Sequence, residues 1–180
     1  IDKVIVNAHP GTALPTWLAA DNWADSPHKD LWFSQFSFSF ALACVAHHIT
    51  PGPLWGHNDT LTDPSIAQLT RKVVRTIHPD ALKQMAKWTG HPGRLMSEPL
   101  TSLSVVTNKG TFTAESSDLP GDSWNLGAKL SDEHLIAKFR NNSRHVLIET
   151  QIDGIIEAVS SLDTVADPIA LTKLLARESS

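Results

Sequence analysis

Nine histidines, one cysteine and a serine-punctuated aromatic run are the residues of this 180-residue chain with chemical potential. A metal centre needs converging ligands, and His9, His28, His57, His78, His91, His134 and His145 are scattered through different segments. His47 and His48 are neighbours, but adjacent side chains on a helix point in different directions and chelate one ion poorly. All nine read as surface or capping histidines, and no metal is expected. Ser37 and His47 could pair as nucleophile and base, yet ten residues along one helix set them about 15 Å apart. Asp132 and Glu133 follow Ser131, where acids complement a helix dipole. Residue type alone therefore names no catalytic set. There is no Gly-rich phosphate loop, no G-x-S-x-G elbow and no strand-linked G-x-G-x-x-G, so no nucleotide or other cofactor is expected.

The run from Trp32 to Phe40, Trp-Phe-Ser-Gln-Phe-Ser-Phe-Ser-Phe, is the most unusual stretch. As a strand it would place Phe36, Phe38 and Phe40 on one face with the serines opposite. A helix starting near Ser37 would divide them. Aromatics of this kind most often anchor a core.

The elements that must position these residues follow from periodicity and punctuation. Ile1 to Val6 reads as a strand already under way, closed by His9-Pro10-Gly11, which fits a chain cut from a longer one. Residues 11 to 34 carry Trp17, Trp23 and Trp32 without a clear period, as in a long ordered loop of the functional kind. From Ser37 to His48 small and apolar residues suit a helix buried on most sides. A polar loop then leads to Asp63-Pro64, an N-cap with proline at the first helical position, and a helix through Arg71. Val73, Val74 and Ile77 suggest a strand, and Pro79-Asp80 opens a helix to about Lys87. Leu103, Val105 and Thr107 alternate before Asn108-Lys109-Gly110, and Thr111, Thr113 and Glu115 alternate after it, predicting a hairpin. Helices follow from Ser131, from Ile148 to Leu162 and from Pro168 to Leu175. The order predicts one α+β domain over residues 1–180: a two-layer sandwich of a mainly antiparallel sheet with helices, its C-terminal third helical.

Composition narrows the partners. Lys plus Arg total 15 against 19 Asp plus Glu, for a net charge of -4. No basic block occurs, so nucleic acid is not an expected partner. Cys44, the single cysteine, lies in the apolar run Phe40 to Ala46, where a thiol behaves as a small hydrophobe and no intrachain disulfide can form. The longest apolar stretch covers about a third of a membrane span. With no signal peptide at the first residues, a soluble, cytoplasmic domain is expected.

Several segments in order carry a resemblance. They are Ile1 to Val6, Gln35 to Ala43, Leu61-Thr62-Asp63-Pro64-Ser65-Ile66, Asn108-Lys109-Gly110, Pro120-Gly121-Asp122-Ser123-Trp124-Asn125, and Leu130 through Phe139. Together they resemble the C-terminal domain of the 2-methylcitrate dehydratase and cis-aconitate decarboxylase (MmgE/PrpD) family. The resemblance implies a helical N-terminal domain or subunit as partner, a homodimer, and a small polycarboxylate substrate. It also implies a lyase or isomerase that uses neither a nucleotide nor an iron–sulfur cofactor. Most catalytic groups of such proteins lie in the helical domain and in a Lys/Cys/His-bearing segment before the opening strand. Within this chain the resemblance points to Phe36, Ser37 and Phe40 as pocket residues, and the Trp-rich loop adds His28. Relatives often carry tyrosine where Phe40 stands. Phe40 keeps the ring but cannot donate a proton. Two readings stand: a domain forming one wall of an enzyme's interdomain site, or a non-catalytic scaffold paired with a helical subunit.

Overall fold

The computed structural model describes residues 1–9, 22–26, 31–88, 100–116, 120–121, 129–164 and 169–175. Strand β1 (Lys3–Ala8) buries every second residue, so Val4, Val6 and Ala8 face inward. That period of two is what a pleated strand with one covered face requires. It pairs in parallel with β2 (Val73–Ile77) and antiparallel with β3 (Thr101–Thr107), and β3 pairs antiparallel with β4 (Gly110–Ser116). The sheet order is β2-β1-β3-β4. It is thus mostly antiparallel, with one parallel pair, and a parallel pair needs a long crossover between its strands.

The helices described within that crossover are α1 (Leu31–Ser34), α2 (Phe38–Ala46), α3 (Asn58–Thr62) and α4 (Pro64–Thr70). Two short 3-10 turns, Trp23–Asp25 and Pro53–Gly56, accompany them. Residues 53 to 62, expected as a polar loop, therefore fold locally; Thr60 ties the two pieces by donating to the Leu54 carbonyl at 2.7 Å. Proline at the first position and Asp63 at the N-cap start α4 as the sequence predicts. Helix α5 (Ala81–Trp88) follows β2.

Helix α2 is the middle of the core. One side sends Phe40, Ala43 and Cys44 into a cluster with Trp23, Ala24, Leu61, Ile66 and Ala67. Another side sends Leu42 against Val4, Val6 and Ala8 of the sheet, beside Val73 and Leu103. The small residues along α2 make this possible, because a helix bearing alanine and cysteine can be approached closely on both sides. Burial pushes the Cys44 thiol up to about 11, so it stays protonated and acts as a packing group. On the sheet's opposite face Asn7 donates to the Ser102 hydroxyl at 2.9 Å and accepts from the Thr76 hydroxyl.

Contacts divide the chain into two compact units, residues 1–129 and 130–180. The second is helical: α6 (Asp132–Ser143), α7 (Glu149–Ser160) and α8 (Ile169–Leu174). Ser131 caps α6, and Arg140 on α6 pairs with Glu149 and Asp153 on α7. Gln151 of α7 donates to the Leu174 carbonyl at 3.2 Å, joining α7 to α8.

Helix α2 ends in a Schellman arrangement: Ile49 N–H bonds the Cys44 carbonyl at 3.0 Å and His48 N–H bonds the Val45 carbonyl at 2.9 Å. This places His48 at φ 58°, the left-handed region, where a Cβ is unfavourable. His48→Gly should therefore stabilise the protein, by about 0.5–1 kcal/mol after allowing for the freer unfolded chain, in urea unfolding. Asp63 supplies a pH test. Its carboxylate accepts from the Ser65 hydroxyl at 2.6 Å and the Ser65 N–H at 2.7 Å. These bonds, with smaller help from the Ile66 N–H and His47, hold its pKa below the ordinary 3.8. A lowered folded value means the stabilisation is complete above 3.8 and disappears as pH falls through the folded value. Asp63→Asn should flatten the fall of the urea midpoint between about pH 5 and pH 2.

Candidate functional site

The aromatic run is split by the start of α2. Ser37 is the N-cap, its hydroxyl oxygen accepting the Phe40 N–H at 3.1 Å and lying 2.9 Å from the Ser39 hydroxyl. Upstream, Gln35 N–H bonds the Leu31 carbonyl and Ser37 N–H bonds the Ser34 carbonyl, both at 3.1 Å. The chain therefore turns tightly at Gln35 and Phe36 between α1 and α2. The helical start sends the three phenylalanines to different places, as the helical alternative requires. Phe40 is 1% exposed, its ring centroid 4.5 Å from Trp23 and 6.4 Å from Trp55. Phe38 is half-buried beneath the Arg75 guanidinium, 5.2 Å from the ring centre. Phe36 is 40% exposed and meets Trp32 edge-on at 5.4 Å.

Gln35, Phe36, Ser37, Phe38 and Ala41 line a groove of about 260 Å³ at the amino end of α2. Phe38 and Ala41, three apart, lie on one helical face and form its floor. Phe36 and Ser37 of the sequence candidates thus come together there. Phe40, the third residue of the helix, sits in the core cluster instead, and His28 lies outside the described residues. Gln35, Phe38 and Ala41 were not named as pocket residues from sequence, although all three lie in the segment that carries the resemblance. The signal for Phe38 and Ala41 was present in the Ser37 cap, because a cap residue, the first helical residue and the one three later share one end and side of a helix.

The groove's chemistry is that of a holder. Its polar side chains are one amide and one hydroxyl, the hydroxyl already accepting the Phe40 N–H, and the rest of the lining is apolar. None of the five lining residues carries a carboxylate, imidazole or amine, so the groove can orient a ligand but cannot itself move a proton at neutral pH.

Two histidines depart from the surface reading. His9 and His78 are 4% and 7% exposed, just beyond the ends of the parallel strands β1 and β2. Burial lowers the His9 pKa. His78 accepts the Asp80 N–H at its Nδ1 (3.2 Å) and turns Nε2 toward Glu115, 3.8 Å away. Among the described residues no group of three or more His, Cys, Asp or Glu is arranged to hold a metal ion, and no helix is long and apolar enough to cross a membrane.

A mixed sheet of order β2-β1-β3-β4 with a buried crossover helix defines an α+β domain. The family model for the MmgE/PrpD C-terminal domain matches residues 1–164, and the chain belongs to that family. No curated protein matches it.

The two aromatic neighbours should separate sharply on truncation. Phe40→Ala removes a ring enclosed by Trp23 and Trp55 and should cost about 3–5 kcal/mol in chemical denaturation, whereas Phe36→Ala at its exposed position should cost under about 1 kcal/mol.

Proposed function

We propose that this chain is the smaller domain of a lyase or isomerase acting on a small polycarboxylate, and that it forms one wall of an interdomain active site. The observation that carries this reading is the groove at the amino end of α2, which falls within the segment that carries the family resemblance. The Gln35 amide would contact the substrate, and Ser37, whose hydroxyl caps the Phe40 N–H, would hold in place the first turn of α2 that lines the groove. Phe36 forms the outer wall. Phe40 backs the pocket from the core side, holding the first turn of α2 against Trp23 and Trp55.

Dehydration, decarboxylation and isomerisation of such acids all require an acid or base near the reacting carbon. In this proposal that group comes from the family's helical N-terminal domain, present in the same polypeptide or as a separate subunit, with His28 as the candidate from this chain. The working unit is a cytoplasmic homodimer that needs neither a nucleotide nor an iron–sulfur cofactor. The absence of an ionisable side chain in the groove and the missing hydroxyl at Phe40 favour one second reading, a binding domain without catalysis.

Turnover assays on citrate-like and methylcitrate-like acids distinguish these. The 180-residue chain alone should give none, and the same chain joined to its helical domain should give measurable turnover. Robust turnover by the chain alone would overturn the division of labour; binding without turnover in the complete protein would select the second reading.

A further inference from the structure

We propose that β4 pairs edge to edge with β4 of a second copy of this chain, in an antiparallel register centred on Thr113. This goes beyond the proposed function, because it concerns an assembly surface and holds whatever the chain binds. β4 is the last strand of the sheet among the described residues, and all seven of its residues are exposed. Hydrogen bonds fix which way its backbone points. Val4 N–H bonds the Lys72 carbonyl and His78 N–H bonds the Ala8 carbonyl, so the even-numbered residues of β1 serve β2 and the odd ones serve β3. Carried through the register, Gly110, Phe112, Ala114 and Ser116 bond β3, and the N–H and C=O groups of Thr111, Thr113 and Glu115 point outward.

The two edges of the sheet are built differently. β2 is five residues long, carries Arg75 turned inward over the Phe38 ring, and runs into Pro79. Short length, an inward charge and a proline are devices that discourage pairing. β4 runs seven residues in unbroken register, without a bulge, lysine or proline. Its side chains then choose the occupant. With Thr113 opposite Thr113, Thr111 faces Glu115 of the other copy, and every outward N–H and C=O of both strands finds a partner. Sliding one strand by two residues leaves Thr111 or Glu115 facing beyond the other strand's end. The charges are complementary in the Thr113 register, because Glu115 does not meet its counterpart and lies diagonal to Lys109 of the other copy, within reach of a long side chain. The apolar side chains fit as well. Phe112 and Ala114 share the side of the sheet with Val4, Val6 and Leu103 but lie outside the cluster that Leu42 covers, and Phe112 is 61% exposed. In this register each Phe112 stands opposite Ala114 of the second copy, large against small, so both rings are covered across the seam. A contact of one strand pair falls below the roughly 1,200 Å² of lasting complexes, so the association is reversible.

The test uses the complete protein, sedimentation equilibrium over a concentration series, and amide exchange in β4. The amides of Thr111, Thr113 and Glu115 should gain protection as concentration rises, while those of Phe112 and Ala114, already bonded to β3, change less. Thr113→Lys sets two like charges together on the axis and should weaken association about two- to fivefold. Thr111→Lys, the same substitution two residues away on the same face, sets a lysine opposite each Glu115 and should tighten it by a comparable factor. The opposite signs separate pairing in this register from a general effect of charge. Thr113→Pro, which removes an N–H that β3 does not use, should abolish the pairing. Association that both lysine variants move in the same direction, or leave unchanged, runs through another surface and overturns the proposal, as does a protein that shows no association at any concentration. Protection of the three outward amides at every concentration would mean that a strand of the same polypeptide covers the edge, and would overturn it too.

Discussion

The hydrogen bond from the Phe40 N–H to the Ser37 hydroxyl decides where α2 begins, and most of the first unit follows from that boundary. Were the stretch extended, Phe36, Phe38 and Phe40 would share one face. Because the helix starts at Phe38, the rings are dealt to solvent, to Arg75 and to the core in turn. The same boundary brings the end of α1 into a tight turn and leaves the groove beside the first helical residues. An N-cap contributes about 1 kcal/mol in isolation. Here its positional effect is greater than its energy, since it sets which residue reaches Trp23.

Much of the architecture could be read from local chemistry. The hairpin around Asn108-Lys109 is strongly signalled because the alternation on both sides and the turn residues agree, and Gly110 adopts a φ of 131° that suits glycine. The Asp63-Pro64 start and the Ser131 cap are likewise local, with each side chain bonding a neighbouring N–H. The parallel pairing of β1 with β2 was not legible. Its partners are about seventy residues apart, and both strands read alike whichever direction they run. Trp23 illustrates the same limit: it lies amid polar residues with no period, yet it is fully buried because α2 and α4 close over it.

The site was partly legible for a related reason. Phe36 and Ser37 belong to a compositionally conspicuous run, and the groove does include them. Ala41 has no conspicuous chemistry, and its contribution is the space it leaves. His9 and His78 look scattered in sequence but follow the ends of adjacent parallel strands, so pairing brings their backbones together where spacing could not reveal it. Family membership makes this a C-terminal domain, which implies an N-terminal partner domain, and no lining residue of the groove carries an ionisable side chain.

The amide of Asn7 has a further consequence for the sheet. Its two ends engage Thr76 on the parallel neighbour and Ser102 on the antiparallel one, so one side chain indexes both pairings at once. A one-residue slip of either neighbour would swing its hydroxyl to the opposite face and leave half of the amide unmatched. The apolar face would resist such a slip by volume, and this face resists it by identity. Two unlike alignment marks on opposite sides of one central strand keep the exits of β1 and β2 level with each other, and those exits are where His9 and His78 leave the sheet.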